Sequence, residues 1–305
     1  MNHPSSGPDP ALSFASVADA YDRARPTYPR PAVEWLTGRS PATVVELGAG
    51  TGKLTDRLVE LRHDLLVTDP LDAMLEHVRE RHPGLRVVTA SAEAVPVATR
   101  SVDVVVAAQA FHWFDAEAAL REAARMLKPE GRIALAWNVR DERIPWVKRL
   151  GRIIGESGPP TDPSETLVAS RHFGYVETEM FKHWMPMKGE ALMDLVRSRS
   201  NVAVMDPSAR DRVLRKVGEL FAEYDRSSDG LMLPYVTHCY RAVVRPRGLI
   251  DEPEHSADLT AAAEAIRRGE TPPGFEVDEQ TDGSGRRTTA GPAGDDDGPT
   301  LISFR

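Results

Sequence analysis

One cysteine, Cys239, occurs in 305 residues. That excludes an internal disulfide framework and any cysteine cage for a metal. No His-x-x-x-His, Cys-x-x-Cys or clustered-carboxylate pattern appears, so no metal site is expected. No apolar run approaches the roughly 20 residues that span a bilayer, and no membrane partner is expected. The first residues, Met1-Asn2-His3-Pro4-Ser5-Ser6-Gly7-Pro8, lack the charged and apolar regions of a secretory signal, and a cytoplasmic protein is predicted. The body also lacks net charge. Of the 46 acidic and 38 basic side chains, residues 251–305 hold 13 and 5, which leaves 33 of each sign elsewhere. The net −8 therefore belongs to the tail, and charge gives no argument for a nucleic-acid partner.

The remaining composition is that of a globular chain, with 41% hydrophobic residues and length enough for a sizeable core. Three segments are predicted: a disordered leader over 1–12, a folded domain over 13–245 and a tail over 246–305. The tail is poor in large apolar groups and contains Pro272-Pro273 and Asp295-Asp296-Asp297. It cannot bury enough area to offset its ordering entropy, apart from a short helix near Ala257–Arg268. No internal repeat is visible.

Inside the domain, apolar runs alternate with helical patterns. Strands are predicted at Thr43–Leu47, Leu65–Thr68, Leu85–Thr89, Val102–Ala107 and Arg132–Trp137. Helices are predicted at Ala15–Tyr21, Pro31–Leu36, Lys53–Leu61, Asp72–Arg81 and Glu117–Lys128. Such alternation indicates a mostly parallel sheet with right-handed crossovers. Further on, Tyr175–Met187 and Leu231–Arg245 read as two strands that close the sheet. Helices at Pro145–Glu156, Glu190–Ser198 and Pro207–Tyr224 would lie over its binding edge, so 145–230 is the expected substrate-covering insertion.

The first strand ends in Glu46-Leu47-Gly48-Ala49-Gly50-Thr51-Gly52. Glycine at such a turn reaches backbone angles that a Cβ forbids and lets a ligand touch the main chain. A dinucleotide turn wants glycines at positions one, three and six, but position six here is Lys53. The actual spacing is Gly-x-Gly-x-Gly, preceded by an acid. Glu46 disfavours a pyrophosphate and suits a cationic or zwitterionic ligand, a description that S-adenosylmethionine meets.

These residues resemble the first motif of the class I S-adenosylmethionine-dependent methyltransferases. The resemblance implies a Rossmann-like α/β fold: a central, mostly parallel seven-stranded sheet flanked by helices, with a helical cap. It implies Glu46, Gly48, Ala49, Gly50 and Gly52 at the cofactor. Asp69 ends the second strand, where an acid accepts both ribose hydroxyls, one per oxygen; the alternative is a turn or cap residue. Pro70 and Leu71 would pack on the adenine. A main-chain N–H near Ala92 and the Glu93 carboxylate would read its edge, or Glu93 is a solvated loop acid. Gln109 would hold the methionyl ammonium.

Ala110-Phe111-His112-Trp113-Phe114 resembles a small-molecule, trans-aconitate methyltransferase-like branch (methyltransferase type 11), as does Leu127-Lys128-Pro129-Glu130-Gly131-Arg132, read as the turn before strand five. Phe111, Trp113 and Phe114 would wall the sulfonium pocket, at least one of them serving as core. His112 is the candidate general base, against a packing role; a carboxylate acceptor needs no base. Tyr21-Asp22-Arg23-Ala24-Arg25-Pro26-Thr27-Tyr28-Pro29 resembles the branch's lid. In it, Tyr21 and Arg25 reach the methionyl carboxylate or an acidic substrate, or else belong to a packed helix with solvated arginines. Trp137, Trp146, Trp184, His183 and Arg199 are candidate lining residues. The expected acceptor is a small molecule. The alternatives are a cofactor-binding protein without transfer activity and an RNA or protein methyltransferase; the absence of an Asn-Pro-Pro-Tyr-type tetrapeptide after strand four weighs against nucleobase amino groups.

Overall fold

The computed structural model describes residues 25–155, 162–225 and 230–246. The predicted helix at 15–21, the tail with its helix at 257–268, and Tyr21 lie outside them. The described chain runs α1 (Arg30–Thr37), β1 (Thr43–Leu47), α2 (Thr55–Glu60), β2 (Asp64–Asp69), α3 (Asp72–Arg81), β3 (Arg86–Thr89) and β4 (Val102–Ala108). It continues through α4 (Ala116–Met126), β5 (Leu127–Arg140), α5 (Pro145–Ile154), α6 (Ser164–Ala169) and β6 (Phe173–Met187). The last elements are α7 (Gly189–Arg197), α8 (Ser200–Ala203), α9 (Pro207–Tyr224) and β7 (Leu231–Val244). One seven-stranded sheet has the order β3-β2-β1-β4-β5-β7-β6. Strands β1 to β5 pair in parallel, and β7 runs antiparallel between β5 and β6.

The central strands are apolar on both faces because helices cover both. Val45, Leu47, Val105, Ala107, Ile133 and Leu135 join Ala119, Leu120, Ala123 and Met126 of α4 in one core. Those α4 residues recur at helical spacing, and Asp115 caps the helix by accepting the Ala118 N–H at 3.0 Å. On the other face Val44, Val104, Val106, Ala134 and Ala136 meet residues of α1, α2 and α3. The alternation puts Glu46 on this second face, against the helix that follows the glycine turn.

Several expected boundaries move. Strand five starts at Leu127, so the predicted turn at 127–132 lies within the strand. The pairing shifts there, from Val102↔Leu127 to Val104↔Arg132, with Glu130 in the left-handed region at φ 68°. A bulge absorbs the residues that the sequence pattern assigns to a turn. The helix after the glycine turn starts at Thr55, two residues later than expected, because Gly52 at φ 88° delays helical geometry. Two short helices, α6 and α8, have no signal strong enough to predict them.

The long strands build the cap. β4 stops opposite Ala136, while β5 continues to Arg140, and β7 continues past Tyr235 to Leu231, opposite Met187. The sheet therefore projects beyond the carboxyl ends of β1 and β4. A third core sits on this projection: Met187, Leu233 and Tyr235 against Val147 and Leu150 of α5, Leu192 and Leu195 of α7, and Val217 and Leu220 of α9. Among the described residues, no helix is long and apolar enough to cross a membrane.

Candidate functional site

A cavity of about 560 Å³ opens at the carboxyl ends of β1, β2 and β4. The crossover directions reverse at β1 and β4, which is where open α/β sheets bind ligands. Its floor is the glycine turn. A Cβ on Gly48 would lie 2.6 Å from Ala110 Cβ, so this glycine allows the exit of β4 to pack on the turn. Gly50, at φ 55°, has nothing within 4 Å of the same position and faces open space. Gly52 serves packing instead, since a Cβ there would lie 2.8 Å from Val78 Cγ2 of α3. Gly52, expected at the cofactor, is not part of the cavity lining.

Asp69 is buried at the end of β2 and lines the cavity. Its Oδ2 accepts the Gly50 N–H at 2.8 Å and its Oδ1 accepts the Leu71 N–H at 2.9 Å. These two bonds lock the carboxylate between the turn and the next loop. A carboxylate has about four acceptor positions, so one on each oxygen remains for a vicinal diol. Leu71, 58% exposed, and Pro70 and Met74 form an apolar shelf beside it. Ala92 and Glu93 complete that wall. Glu93 Oε1 already accepts the Asp115 N–H at 3.0 Å, which ties it to the start of α4.

Glu46 also lines the cavity, although only 1% exposed. Its Oε2 accepts from Thr55 Oγ1 at 2.6 Å. Burial pushes its pKa up to about 8; the Thr55 hydrogen bond opposes this, and Asp56 and Asp69 add to it. With no cation beside it this carboxyl favours its protonated form at neutral pH, and an arriving cation would draw out the charged form.

Gln109, at the exit of β4, has φ 55°, unusual for a residue with a side chain. Two bonds to β5 hold it there. Its main-chain N–H donates to Ala136 O at 2.9 Å, and its Nε2 donates to Asn138 O at 3.0 Å. With the amide nitrogen engaged, the carbonyl oxygen remains as an acceptor at the cavity. Trp113, 78% exposed, and Phe114 form the adjacent wall, while Phe111 turns into the core and meets Phe114 edge-on at 6.0 Å. His112 is exposed beside Trp113 and is outside the lining, so the candidate base is not positioned at the cavity.

The N-terminal segment closes one side through Arg25, Pro26 and Tyr28. Arg25 Nη2 also reaches Ser198 O, at the end of α7, at 3.5 Å. Of the other candidate lining residues, none borders this cavity. Trp137 packs on Tyr240 in the core, Trp146 lies near Tyr224, and His183 stacks on Tyr235. Lys53, Met74 and Tyr28 are lining residues that sequence reasoning missed. Met74 had a readable signal: it sits three residues after Leu71, one helical turn along the same face.

The sequence profile of a family described as a methyltransferase domain matches residues 45–135. An uncharacterized methyltransferase of Mycobacterium tuberculosis is 42% identical over 238 residues, 77% of this chain and 97% of that protein. An uncharacterized methyltransferase of Schizosaccharomyces pombe is 33% identical over 223 residues, 70% of this chain and 88% of that protein. Among solved structures, a putative type II methyltransferase from Anaeromyxobacter dehalogenans matches with a TM-score of 0.55 at 24% identity, covering 72% of this chain and 97% of that one, a likeness of fold.

Proposed function

The chain belongs to the class I S-adenosylmethionine-dependent methyltransferases, and on that premise we propose that the cavity on the glycine turn holds the methyl donor and passes the methyl to a small-molecule acceptor. The observation that carries this reading is the pair of buried acids, Glu46 and Asp69, facing one cavity across Gly50.

The residues fit the donor part by part. The free acceptor positions of Asp69 match the ribose hydroxyls, and the shelf of Pro70, Leu71 and Met74 matches a purine face. Glu46 and the Gln109 carbonyl suit an ammonium. Arg25 suits a carboxylate, either that of the donor or that of an acidic acceptor. Trp113 and Phe114 offer ring faces, which attract a sulfonium as they attract other cations. When bound, S-adenosylmethionine supplies an electrophilic methyl group for in-line displacement. The chain's own contribution is alignment: fixing donor and acceptor in register supplies much of such a rate without a base. The acceptor side is assigned to the N-terminal segment and the cap, supported by the Arg25 contact to Ser198.

A transfer screen against carboxylic acids, phenols and quinone precursors, read out as S-adenosylhomocysteine formed, tests the proposal. Turnover with one class is expected. Retention of labelled methyl on the bound donor across the whole panel would instead support a binding protein without transfer activity.

A further inference from the structure

We infer that Asn138, which does not line the cavity, is the positioning residue that holds two of its walls together: the N-terminal segment and the exit of β4. This rests on the reading of the cavity as the donor site.

Asn138 lies on β5 just past the end of β4, 9% exposed, and every polar group recorded for it points at a different element. Its main-chain O accepts from Gln109 Nε2 at 3.0 Å, the bond that aims the Gln109 carbonyl. Its side-chain Nδ2 donates to Thr27 O at 3.2 Å, with Pro26 O at 3.5 Å. Its Oδ1 accepts from Thr237 Oγ1 at 2.6 Å, on the paired position of β7. Thr237 is fully buried; its hydroxyl lies 2.6 Å from Asn138 Oδ1 and 3.4 Å from His183 Nδ1, and the shorter contact sets which way the amide faces. A hydroxyl donating to Oδ1 leaves Nδ2, the only side-chain donor, directed at the N-terminal segment. The face of β5 explains why this position is polar. Ala134 and Ala136 precede it on the same face, small enough for α1 to pack closely, and the segment leading into α1 then crosses the strand at residue 138.

The consequence is mechanical. Pro26 and Tyr28 flank Thr27, and both line the cavity. Removing the Nδ2 donor takes away the bonds that tie the 26–27 carbonyls to β5, leaves Thr27 O with only its His183 contact, and loosens the wall the segment carries. Removing the Thr237 hydroxyl lets the amide rotate, with the same result and almost no change of volume.

The test uses the full chain with three substitutions, Asn138→Ala, Thr237→Val and the conservative Thr237→Ser. Two readouts are taken. The first is the affinity for S-adenosylhomocysteine by calorimetry. The second is the thiol-labelling rate of a Pro26→Cys reporter in each background, without ligand; native Cys239 is 1% exposed and stays silent. Asn138→Ala and Thr237→Val should each weaken binding and speed labelling roughly tenfold, the equivalent of one lost hydrogen bond. Thr237→Ser should restore both to within about twofold. Unchanged labelling in Asn138→Ala would overturn the anchoring, unchanged labelling in Thr237→Val would overturn the part given to Thr237, and faster labelling at unchanged affinity would overturn the anchor's role in the site. If the wild-type chain bound no S-adenosylhomocysteine, the donor-site reading would fail, while the ligand-free labelling would still decide whether Asn138 anchors the segment.

Discussion

The two ends of the sheet meet their ligand-facing edge differently. On the β1–β4 side, the floor of the cavity is main chain and a carboxylate pinned by main chain: Gly50 and Leu71 donate to Asp69, and Ala49 N donates to Thr68 O at 3.0 Å. On the β5–β7 side, the edge is extended by long strands and covered by helices that dock mainly through apolar contact, with Arg149–Glu223 and Asn201–Ile154 O as polar ties between them. The first arrangement dictates residue types. Only glycine tolerates the approach of Ala110 at position 48, and only a carboxylate accepts two N–H groups and keeps acceptors in reserve. The second arrangement asks for apolar residues of suitable volume, which many sequences supply.

The comparison can be broken from either side. Leu220→Ala opens a hole in the fully buried cap core and should cost about 2–5 kcal/mol in denaturant unfolding. It should leave S-adenosylhomocysteine affinity within about twofold, since no α9 side chain borders the cavity. A parallel loss of affinity would show that cap and donor site form one unit. Asp69→Ala is its mirror image. Loss of two backbone anchors and a charged acceptor should weaken binding roughly a hundredfold in calorimetry. Undiminished binding would sink the ribose assignment.

A finer contrast lies within the glycine turn. Gly48→Ala forces the turn away from Ala110 and should destabilise the fold by about 1–3 kcal/mol, whereas Gly50→Ala meets open space and carries only the strain of φ 55°, about 1 kcal/mol. Equal losses in thermal unfolding would contradict the close approach.

The buried acid adds a pH signature to the first side alone. Glu46 ionises near 4.5 as an unperturbed group and at about 8 in the folded chain. Its contribution to stability is complete below about pH 4.5 and is lost as pH rises through about 8, so unfolding temperature relative to Glu46→Gln should fall over that window. A bound ammonium needs the ionised form, so affinity should rise roughly fivefold between pH 7 and 8 and level off above. Affinity flat across that range would remove Glu46 from the site. The smallest effect belongs to His112→Ala. Because this side chain lies outside the lining, affinity should change by less than about twofold and transfer only slightly. A rate loss near a hundredfold would restore it as a general base.

Legibility in the sequence follows the same division. Strand β1, helix α3 and helix α9 have the boundaries their patterns predict, and α9 shows its start most plainly, with Asp206 capping it and Pro207 in its first turn. Glu46, Asp69 and Gln109 are readable because they sit at strand ends next to the glycine turn or its neighbours. Gly52 carries a second meaning: its spacing reads as ligand contact, while a Cβ there would meet Val78 across the turn, a fact of tertiary packing. Asn138 carries no motif at all. Its meaning comes from Thr237, 99 residues away, and from a segment 111 residues before it. The bulge at 127–132 is hidden for a similar reason, since Pro129 and Gly131 read as a turn until the pairing with β4 is known.

The central claim is that one cavity, floored by the glycine turn and carrying a buried acid whose pKa burial raises, binds the methyl donor. Calorimetric titration of the wild-type chain with S-adenosylhomocysteine at pH 7, repeated in two buffers of different ionisation enthalpy, tests it directly. The account predicts one molecule bound per chain and an apparent heat that differs between the buffers, because a proton leaves Glu46 on binding. No binding, or heats independent of buffer, would contradict it.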